Sequence, residues 1–415
     1  MNKLHETAML QAFLPRSLNG KTKDKLKRQI EIVNYCLNKG VNLASHLESI
    51  GWSYDDLQYE NNLIPDTSKQ RYYCLDEFRK KKNKIPVVSF FSGAGGLDLG
   101  FEAAGFSHLA LVEKNEIFCN TLRANRPKWN VYGPPEFSGD VSNFDEMVGL
   151  LATDVPKVGF DGVFVGGPPC QPFSIAANQR FSKGGGNFKR IGFAHETNGN
   201  LLFEYIALIK HFKPRVFLIE NVPGLIEVDG GEQLQRAYAE LEEDGYTVNE
   251  PVVLMASEHY VPQQRVRLFI VGNRVGKQYQ PPQPTNQPLS CGAVFNLSLE
   301  GVENHVTRCH NAESVLRYMK LDFGCRDHLG RVDRLNPLQP SKTVIAGGTA
   351  GGGRSHLHPY IPRTISVREC ARIQTFPDDY FFTGPVARQF TQVGNAVPPI
   401  LGAQLATSIF DSFYR

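Results

Sequence analysis

The sequence has no long apolar run, little net charge and no regular cysteine spacing. No stretch approaches the roughly 18 consecutive apolar residues that cross a bilayer, so we expect no membrane-spanning segment. The eight cysteines are scattered, and the first residues form no apolar signal region. Both features disfavour a disulfide framework and favour a reducing compartment, so we expect a cytoplasmic protein. The net charge of +3 is too small to identify a nucleic-acid partner by itself.

The charge is nevertheless unevenly distributed along the 415 residues. Residues 274–363 hold eleven Lys or Arg against six Asp or Glu, and a proline-rich stretch at 278–288 resembles a linker. A basic patch of this kind fits binding to phosphates, although plain solvated surfaces are also often basic. We predict four parts: a helical N-terminal extension (1–85), a main domain (86–273), an inserted domain (274–360) and a return to the main domain (361–415).

The N-terminal extension contains apolar residues at helical spacing. Leu26, Ile30, Val33 and Leu37 predict one face of a helix, and Gly40 can end it. Two interpretations are open. The small helices form either a helix-turn-helix that reads DNA or a cap that packs on the rest of the protein.

A glycine-rich turn follows the first apolar strand of the main domain. The strand at 85–91 leads into Gly93, Gly95 and Gly96, and a helix begins near Leu97. Strand, glycine turn and helix open a nucleotide-type βα unit, in which free N–H groups at the helix start meet a ligand. The spacing is not G-x-G-x-x-G, which disfavours NAD, and many α/β proteins use such a turn only to reverse the chain.

Two acidic residues stand at the ends of the next elements. Glu113 ends a strand about twenty residues after the glycine turn, where an acid can bind both hydroxyls of a ribose. Asp140, before Val141, offers a second carboxylate that can accept from an adenine amino group. Each acid taken alone is more often a helix cap or a surface residue.

The third feature is a cysteine in a stiff turn. The strand at 163–165 is followed by glycines, by Pro168 and Pro169, and then by Cys170. Such a turn aims a side chain at the carboxyl edge of a parallel sheet, where reacting groups gather. Cys170 is either a nucleophile or a structural cysteine in a proline-rich turn. The long polar loop at 175–198 predicts a mobile functional element.

Charged residues also flank two later strands. Glu220 ends the apolar strand that begins at residue 216, and Arg265 and Arg267 precede or begin the strand around 268–271. Alternate arginines on one strand face can bind an anion or an electron-rich carbonyl, whereas a solvated edge strand is the alternative.

A zinc site is a weaker possibility. Cys309, His310, Cys325 and His328 lie in the basic segment, but their spacing matches no standard zinc finger. We therefore expect no metal.

Together these blocks resemble the DNA (cytosine-5)-methyltransferases, in particular those of bacterial restriction-modification systems. The resemblance covers about residues 86–415 and depends on blocks in family order: Phe91-Ser92-Gly93-Ala94-Gly95-Gly96, Glu113, Asp140, Pro168-Pro169-Cys170-Gln171, Glu220-Asn221-Val222, Gln264-Arg265-Val266-Arg267, 368–377 and Gly394-Asn395. It implies an α/β fold: a Rossmann-like S-adenosylmethionine-dependent methyltransferase sheet, a smaller inserted target-recognition domain and the helical N-terminal extension.

The resemblance also implies the chemistry. Cys170 would add to carbon 6 of cytosine, Glu220 would hold or protonate ring nitrogen 3, and Arg265 and Arg267 would bind the base carbonyl. Carbon 5 would then take the methyl group of S-adenosylmethionine, leaving S-adenosylhomocysteine. The cytosine would be flipped out of the duplex, as methyltransferases require.

The resemblance assigns further residues to the cofactor and to DNA. The cofactor would contact Phe91, Gly93, Gly95, Gly96, Leu97, Glu113, Asp140, Val141, Pro169, Leu201, Asn395 and Val397. DNA would contact Gln171, Ser174, Asn221, Thr343 and Arg354. One departure concerns Lys114, which stands where many relatives have an aromatic ring.

We expect duplex DNA as the substrate, a cognate restriction endonuclease that acts separately, and a monomeric protein. A transfer-RNA methyltransferase that uses the same chemistry is one alternative. A non-catalytic DNA-binding regulator that uses the N-terminal helices is another.

Overall fold

The computed structural model describes residues 20–61, 64–156, 159–169, 201–285, 288–346 and 356–415. Its strands are β1 (Pro86–Phe90), β2 (Ser107–Val112), β3 (Val131–Tyr132), β4 (Val163–Gly166), β5 (Val216–Asn221), β6 (Thr247–Val248), β7 (Val252–Met255), β8 (Gln263–Gln264), β9 (Val266–Asn273), β10 (Arg326–Asp327), β11 (Val332–Asp333) and β12 (Ser341–Lys342). Its α-helices are α1 (Gly20–Lys39), α2 (Leu43–Ser49), α3 (Gly96–Ala103), α4 (Glu116–Asn125), α5 (Phe144–Leu151), α6 (Leu201–Phe212), α7 (Glu232–Glu243), α8 (Ala312–Tyr318), α9 (Val367–Ile373), α10 (Val386–Asn395) and α11 (Pro399–Phe413).

An eight-stranded sheet lies at the centre of the described residues. Its order is β3-β2-β1-β4-β5-β9-β6, and β7 also pairs with β9. Strands β1 to β5 are mutually parallel, whereas β9 runs antiparallel to β5, β6 and β7. This mostly parallel sheet confirms the predicted α/β fold class.

The central strands are apolar on both faces because helices cover both sides of the sheet. Val87 and Val163 point into a core shared with α3 and α11, whereas Val88 and Phe164 point into a second core shared with α5, α6 and α7. In folds of this kind ligands bind at the carboxyl ends of the parallel strands.

The C-terminal helix α11 packs against α3, the helix that follows the glycine turn. Helix α11 packs on α3 so closely that a Cβ atom at Gly100 would overlap the backbone at Gly402 and Ala403. The C-terminal residues therefore complete the same layer that the glycine turn begins.

The buried face of α1 differs from the predicted one. The helix spans the expected residues, but Leu37 is 46% exposed, so its assignment to the buried face is wrong. The buried stripe contains Gln29, Val33 and Cys36. Gln29 is buried because its amide bonds both backbone groups of Gln58, at 2.8 and 2.9 Å.

The N-terminal extension packs on two parts of the protein. Helix α1 contacts α8, where Val33 and Val315 share a small core. The 3-10 turn Leu75–Phe78 contacts α3 and α11. Asp55 adds an ion pair with Arg363 at 2.5 Å. These contacts support the packing interpretation of the extension.

Candidate active site

The turn after β4 lies directly against Glu220. A Cβ atom at Gly167 would lie 2.8 Å from Glu220 Oε2, and Asn221 Nδ2 donates to the Pro168 carbonyl oxygen at 3.4 Å. A side chain at this position would crowd the Glu220 carboxylate, and glycine leaves room for it. Cys170, Gln171 and Ser174 lie outside the described residues, but the turn that leads to Cys170 ends beside this carboxylate.

Glu220 forms an ion pair with Arg267. Arg267 Nε lies 2.9 Å from Glu220 Oε1, and their side chains are 17% and 15% exposed. Strands β5 and β9 pair antiparallel, which brings the two residues to the same edge of the sheet. A partly buried pair of this kind holds the carboxylate in a fixed orientation.

Arg265 is fully buried just before β9. Its Nη1 donates to the Val344 carbonyl oxygen at 3.4 Å and its Nη2 to the Asn395 carbonyl oxygen at 3.1 Å. Its Nε has no hydrogen-bond partner among the described residues. Burial lowers the pKa of Arg265, the charge of Arg267 lowers it further, and Glu220 opposes both. Arg265 thus presents a buried cation that would gain from an electron-rich partner.

Arg265 lies just before β9, which begins at Val266, and Arg267 lies within it. The two guanidinium groups have separate partners, since Arg265 bonds carbonyl oxygens and Arg267 pairs with Glu220.

Glu113 lies beside the glycine turn at the end of β2. Its Oε2 accepts from Gly93 N at 2.8 Å and its Oε1 from Asn115 N at 2.7 Å. Burial raises the pKa of Glu113, and the backbone donors oppose this shift. Phe91 stands next to the turn with its ring 6.2 Å from that of Tyr205.

Asp140 is already engaged by its neighbours. Its Oδ1 accepts from Ser142 N at 3.1 Å, and its Oδ2 lies 2.5 Å from Lys114 Nζ. Burial raises the pKa of Asp140, but Lys114 and Ser142 outweigh it and the net shift is downward. In the sequence, Lys114 stands out only because many relatives have an aromatic ring at its place. Its ion pair with Asp140 was therefore not predicted.

The segment after α10 closes the site from the other side. Asn395 ends α10, and a Cβ atom at Gly96 would overlap the Val397 carbonyl oxygen. The predicted cofactor residues of the glycine turn and of this segment are thus in direct contact. Leu97 and Val141 are buried nearby in the two cores, and Leu201 begins α6.

Of the predicted DNA-contacting residues, Thr343 and Asn221 are described and Arg354 is not. Thr343 Oγ1 donates to the Gln264 carbonyl oxygen at 2.7 Å, next to the paired strands β8 and β12. The structure therefore brings Thr343 close to the arginines.

The family whose description is C-5 cytosine-specific DNA methylase matches residues 85–411. The chain belongs to this family. Membership confirms the resemblance seen in the sequence and makes the chain a DNA (cytosine-5-)-methyltransferase.

Individual methyltransferases are similar to this chain over most of their length. The type II methyltransferase M.PspPI of Psychrobacter sp. (strain TA137) is 34% identical over 366 residues, 81% of this chain and 82% of that protein. The type II methyltransferase M.Eco47II of Escherichia coli is 34% identical over 364 residues, 80% of this chain and 81% of that protein.

Solved structures share the fold of this methyltransferase. An Escherichia coli prophage protein described as a DNA modification methyltransferase superposes with a TM-score of 0.65 at 24% identity, covering 80% of this chain and 100% of that one. The Entamoeba histolytica methyltransferase EhMeth gives 0.56 at 16% identity, covering 80% of this chain and 99% of that one.

The described residues contain no cluster of three or more His, Cys, Asp or Glu side chains that could hold a metal ion. Within the same ranges, no helix has the length and apolar character needed to cross a membrane. His310, considered above as a zinc ligand, accepts a hydrogen bond from Thr364 N at 3.1 Å through Nε2.

Proposed function

We propose that this methyltransferase transfers a methyl group from S-adenosylmethionine to carbon 5 of a flipped-out cytosine in a specific duplex sequence. The observation that carries the proposal is the arrangement of Glu220, Arg267 and Arg265 beside the turn that leads to Cys170. The Glu220 carboxylate, oriented by Arg267, suits a ring nitrogen of the base. Arg265 is buried and has no carboxylate partner of its own among the described residues, which suits a ring carbonyl.

In this mechanism the Cys170 thiolate adds to carbon 6, which makes carbon 5 nucleophilic. Glu220 holds or protonates nitrogen 3, while Arg265 and Arg267 stabilise the negative charge that develops on the base. Carbon 5 takes the methyl group, a base or water removes the carbon 5 proton, and the thiolate leaves. The positive charge of the arginines also favours the ionised form of a nearby thiol.

The residues at the glycine turn fit S-adenosylmethionine, which would supply an electrophilic methyl group. Each Glu113 oxygen accepts one backbone N–H and retains a lone pair for a ribose hydroxyl. Phe91, Gly93, Gly95, Gly96 and the residues Asn395 and Val397 would enclose the adenosine and methionine portions. Asp140 would accept from the adenine amino group while Lys114 keeps its carboxylate oriented.

We further propose that residues 274–360 form the target-recognition domain, between a main domain at 86–273 and its return at 361–415. Its basic excess suits the phosphates of duplex DNA, and Thr343 and Arg354 would lie near the bases. Residues 1–85 would stabilise this domain by packing. The loop at 175–198, which lies outside the described residues, would close over the flipped cytosine.

The biological role we propose is protection of host DNA beside a separate restriction endonuclease, by a monomer acting in the cytoplasm. The relatives described as type II methyltransferases support this role.

The test is transfer of labelled methyl groups from S-adenosylmethionine to unmethylated plasmid DNA or to bulk transfer RNA. We expect label in duplex DNA only. Label in transfer RNA alone would favour the RNA-modifying alternative. Tight DNA binding without label in either nucleic acid would favour the alternative of a non-catalytic DNA-binding regulator.

A further inference from the structure

Two buried glutamine side chains join three segments of the active site. Gln263 Nε2 donates to Gln374 Oε1 at 2.9 Å, and both residues are fully buried. Buried amides are costly unless their groups are hydrogen-bonded, so such a pair holds its partners firmly. The segments that are hydrogen-bonded to the pair are therefore the segments that it positions.

Gln263 holds the segment around Val344. Its Oε1 accepts from Val344 N at 2.8 Å, and its backbone pairs in parallel with Ser341 between β8 and β12. Thr343 Oγ1 adds a bond to the Gln264 carbonyl oxygen at 2.7 Å. This segment belongs to the proposed target-recognition domain.

Gln374 holds the segment around Asn395. Its Nε2 donates to the Val393 carbonyl oxygen at 2.7 Å and to the Ala396 carbonyl oxygen at 3.3 Å, on either side of Asn395. The same stretch continues to Val397, which contacts the glycine turn at Gly96. Gln374 thus fixes the wall of the proposed cofactor pocket.

Arg265 connects these two segments. Within the described residues its guanidinium bonds the carbonyl oxygens of Val344 and Asn395, one on each segment. A Cβ atom at Gly394 would also overlap the backbone of Ala346, so the segments are in van der Waals contact. The position of Arg265 depends on both segments, and the glutamine pair fixes their relative placement.

We propose that Gln263 and Gln374 are a positioning pair that couples the binding of target DNA to the binding of the methyl donor. The proposal rests on the proposed function of the site. A ligand that orders the segment around Val344 would, through the pair, also order the segment around Asn395. Such coupling is reciprocal, so DNA should tighten the cofactor site by the same factor as the cofactor tightens the DNA site.

The experiment measures the dissociation constant of S-adenosylhomocysteine with and without a short duplex that carries the site mapped by bisulfite sequencing. For the wild-type protein we expect the duplex to tighten binding by about tenfold. In Gln374→Leu the ratio should fall close to one, while binding without DNA changes by less than about twofold. Gln263→Leu should do the same, and the double variant should lose no more than either single variant.

Gln392→Leu is the matched control. Gln392 is an equally buried glutamine on α10, but its Nε2 donates to the Thr383 carbonyl oxygen at 2.9 Å, outside this network. It should keep the wild-type ratio. If Gln374→Leu does not fold, Gln374→Glu keeps the acceptor for Gln263, loses the two donors and should lose the coupling.

Two results would overturn the proposal. One is an unchanged ratio in folded Gln263→Leu and Gln374→Leu. The other is equal weakening with and without DNA, which would make the pair structural only. Failure of the proposed function is distinct, because the wild-type protein would then methylate no DNA.

Discussion

At the scale of single residues, the cost of burying charge explains how the active site is arranged. Glu220 and Arg267 offset each other's burial at 2.9 Å, whereas Arg265 is fully buried with only carbonyl partners among the described residues. A cation in that environment strengthens any electrostatic interaction it makes, because little water screens it. We propose that Glu220, held by Arg267, orients the base, and that Arg265 together with Arg267 stabilises the negative charge that develops on it.

Replacing Glu220 by glutamine tests this interpretation. Glu220→Gln keeps the shape but cannot donate a full proton to ring nitrogen 3 or balance Arg267. We expect kcat to fall by about 10²- to 10⁴-fold with a smaller change in the KM for DNA. Initial rates of methyl transfer measure both. Glu227→Gln, an exposed neighbour in sequence, should leave both constants unchanged.

At the scale of elements, close backbone contacts set which substitutions are tolerated. The contact of α3 with α11 occurs at Gly100, where a Cβ atom would overlap backbone atoms. Gly149 in α5 is the opposite case, because a Cβ atom there would meet nothing within 4 Å.

These two glycines give opposite predictions for the free energy of unfolding. Gly100→Ala should lower it by about 1–3 kcal/mol through overpacking. Gly149→Ala should raise it by up to about 1 kcal/mol, since alanine favours a helix interior. Urea unfolding of both variants measures the difference. A neutral or stabilising Gly100→Ala would contradict the packing described for α3 and α11.

Element prediction from the sequence succeeded where one pattern dominates. The apolar runs at 163–165 and 216–219 predicted buried parallel strands, and β4 and β5 occupy them. The prediction for Leu37 was wrong because the buried stripe of α1 includes the polar Gln29. An apolar pattern cannot predict its hydrogen bonds to Gln58. The hydrogen bond between Gln263 and Gln374 joins residues 111 positions apart, so no local sequence pattern could predict it.

At the scale of the whole molecule, buried titratable groups make stability depend on pH. Burial lowers the pKa of His358 to about 3, and burial together with the charge of Arg363 lowers that of His310 to about 4. Burial alone would raise the pKa of Glu369, but hydrogen bonds and charge from Arg363 lower it to about 2. In all three cases the unfolded chain binds protons at a higher pH than the folded protein.

Stability should therefore fall as the pH drops. The loss begins near pH 6.5 as the unfolded histidines protonate, and the Glu369 contribution follows below about pH 4.5. Each histidine contributes a slope of about 1.4 kcal/mol per pH unit until its folded pKa is reached. Urea unfolding between pH 7 and 5 measures this slope. His358→Gln should lower this slope by about 1.4 kcal/mol per pH unit. Equal slopes in the wild-type protein and in His358→Gln would refute the assignment.

We propose above all that Cys170 is the nucleophile of this DNA cytosine-5 methyltransferase. Bisulfite sequencing of DNA from cells that express the wild-type protein or Cys170→Ala tests it most directly. We predict methylated cytosines at one recurrent sequence with the wild-type protein and none with Cys170→Ala. The same methylated sequence in both samples would contradict the mechanism proposed here.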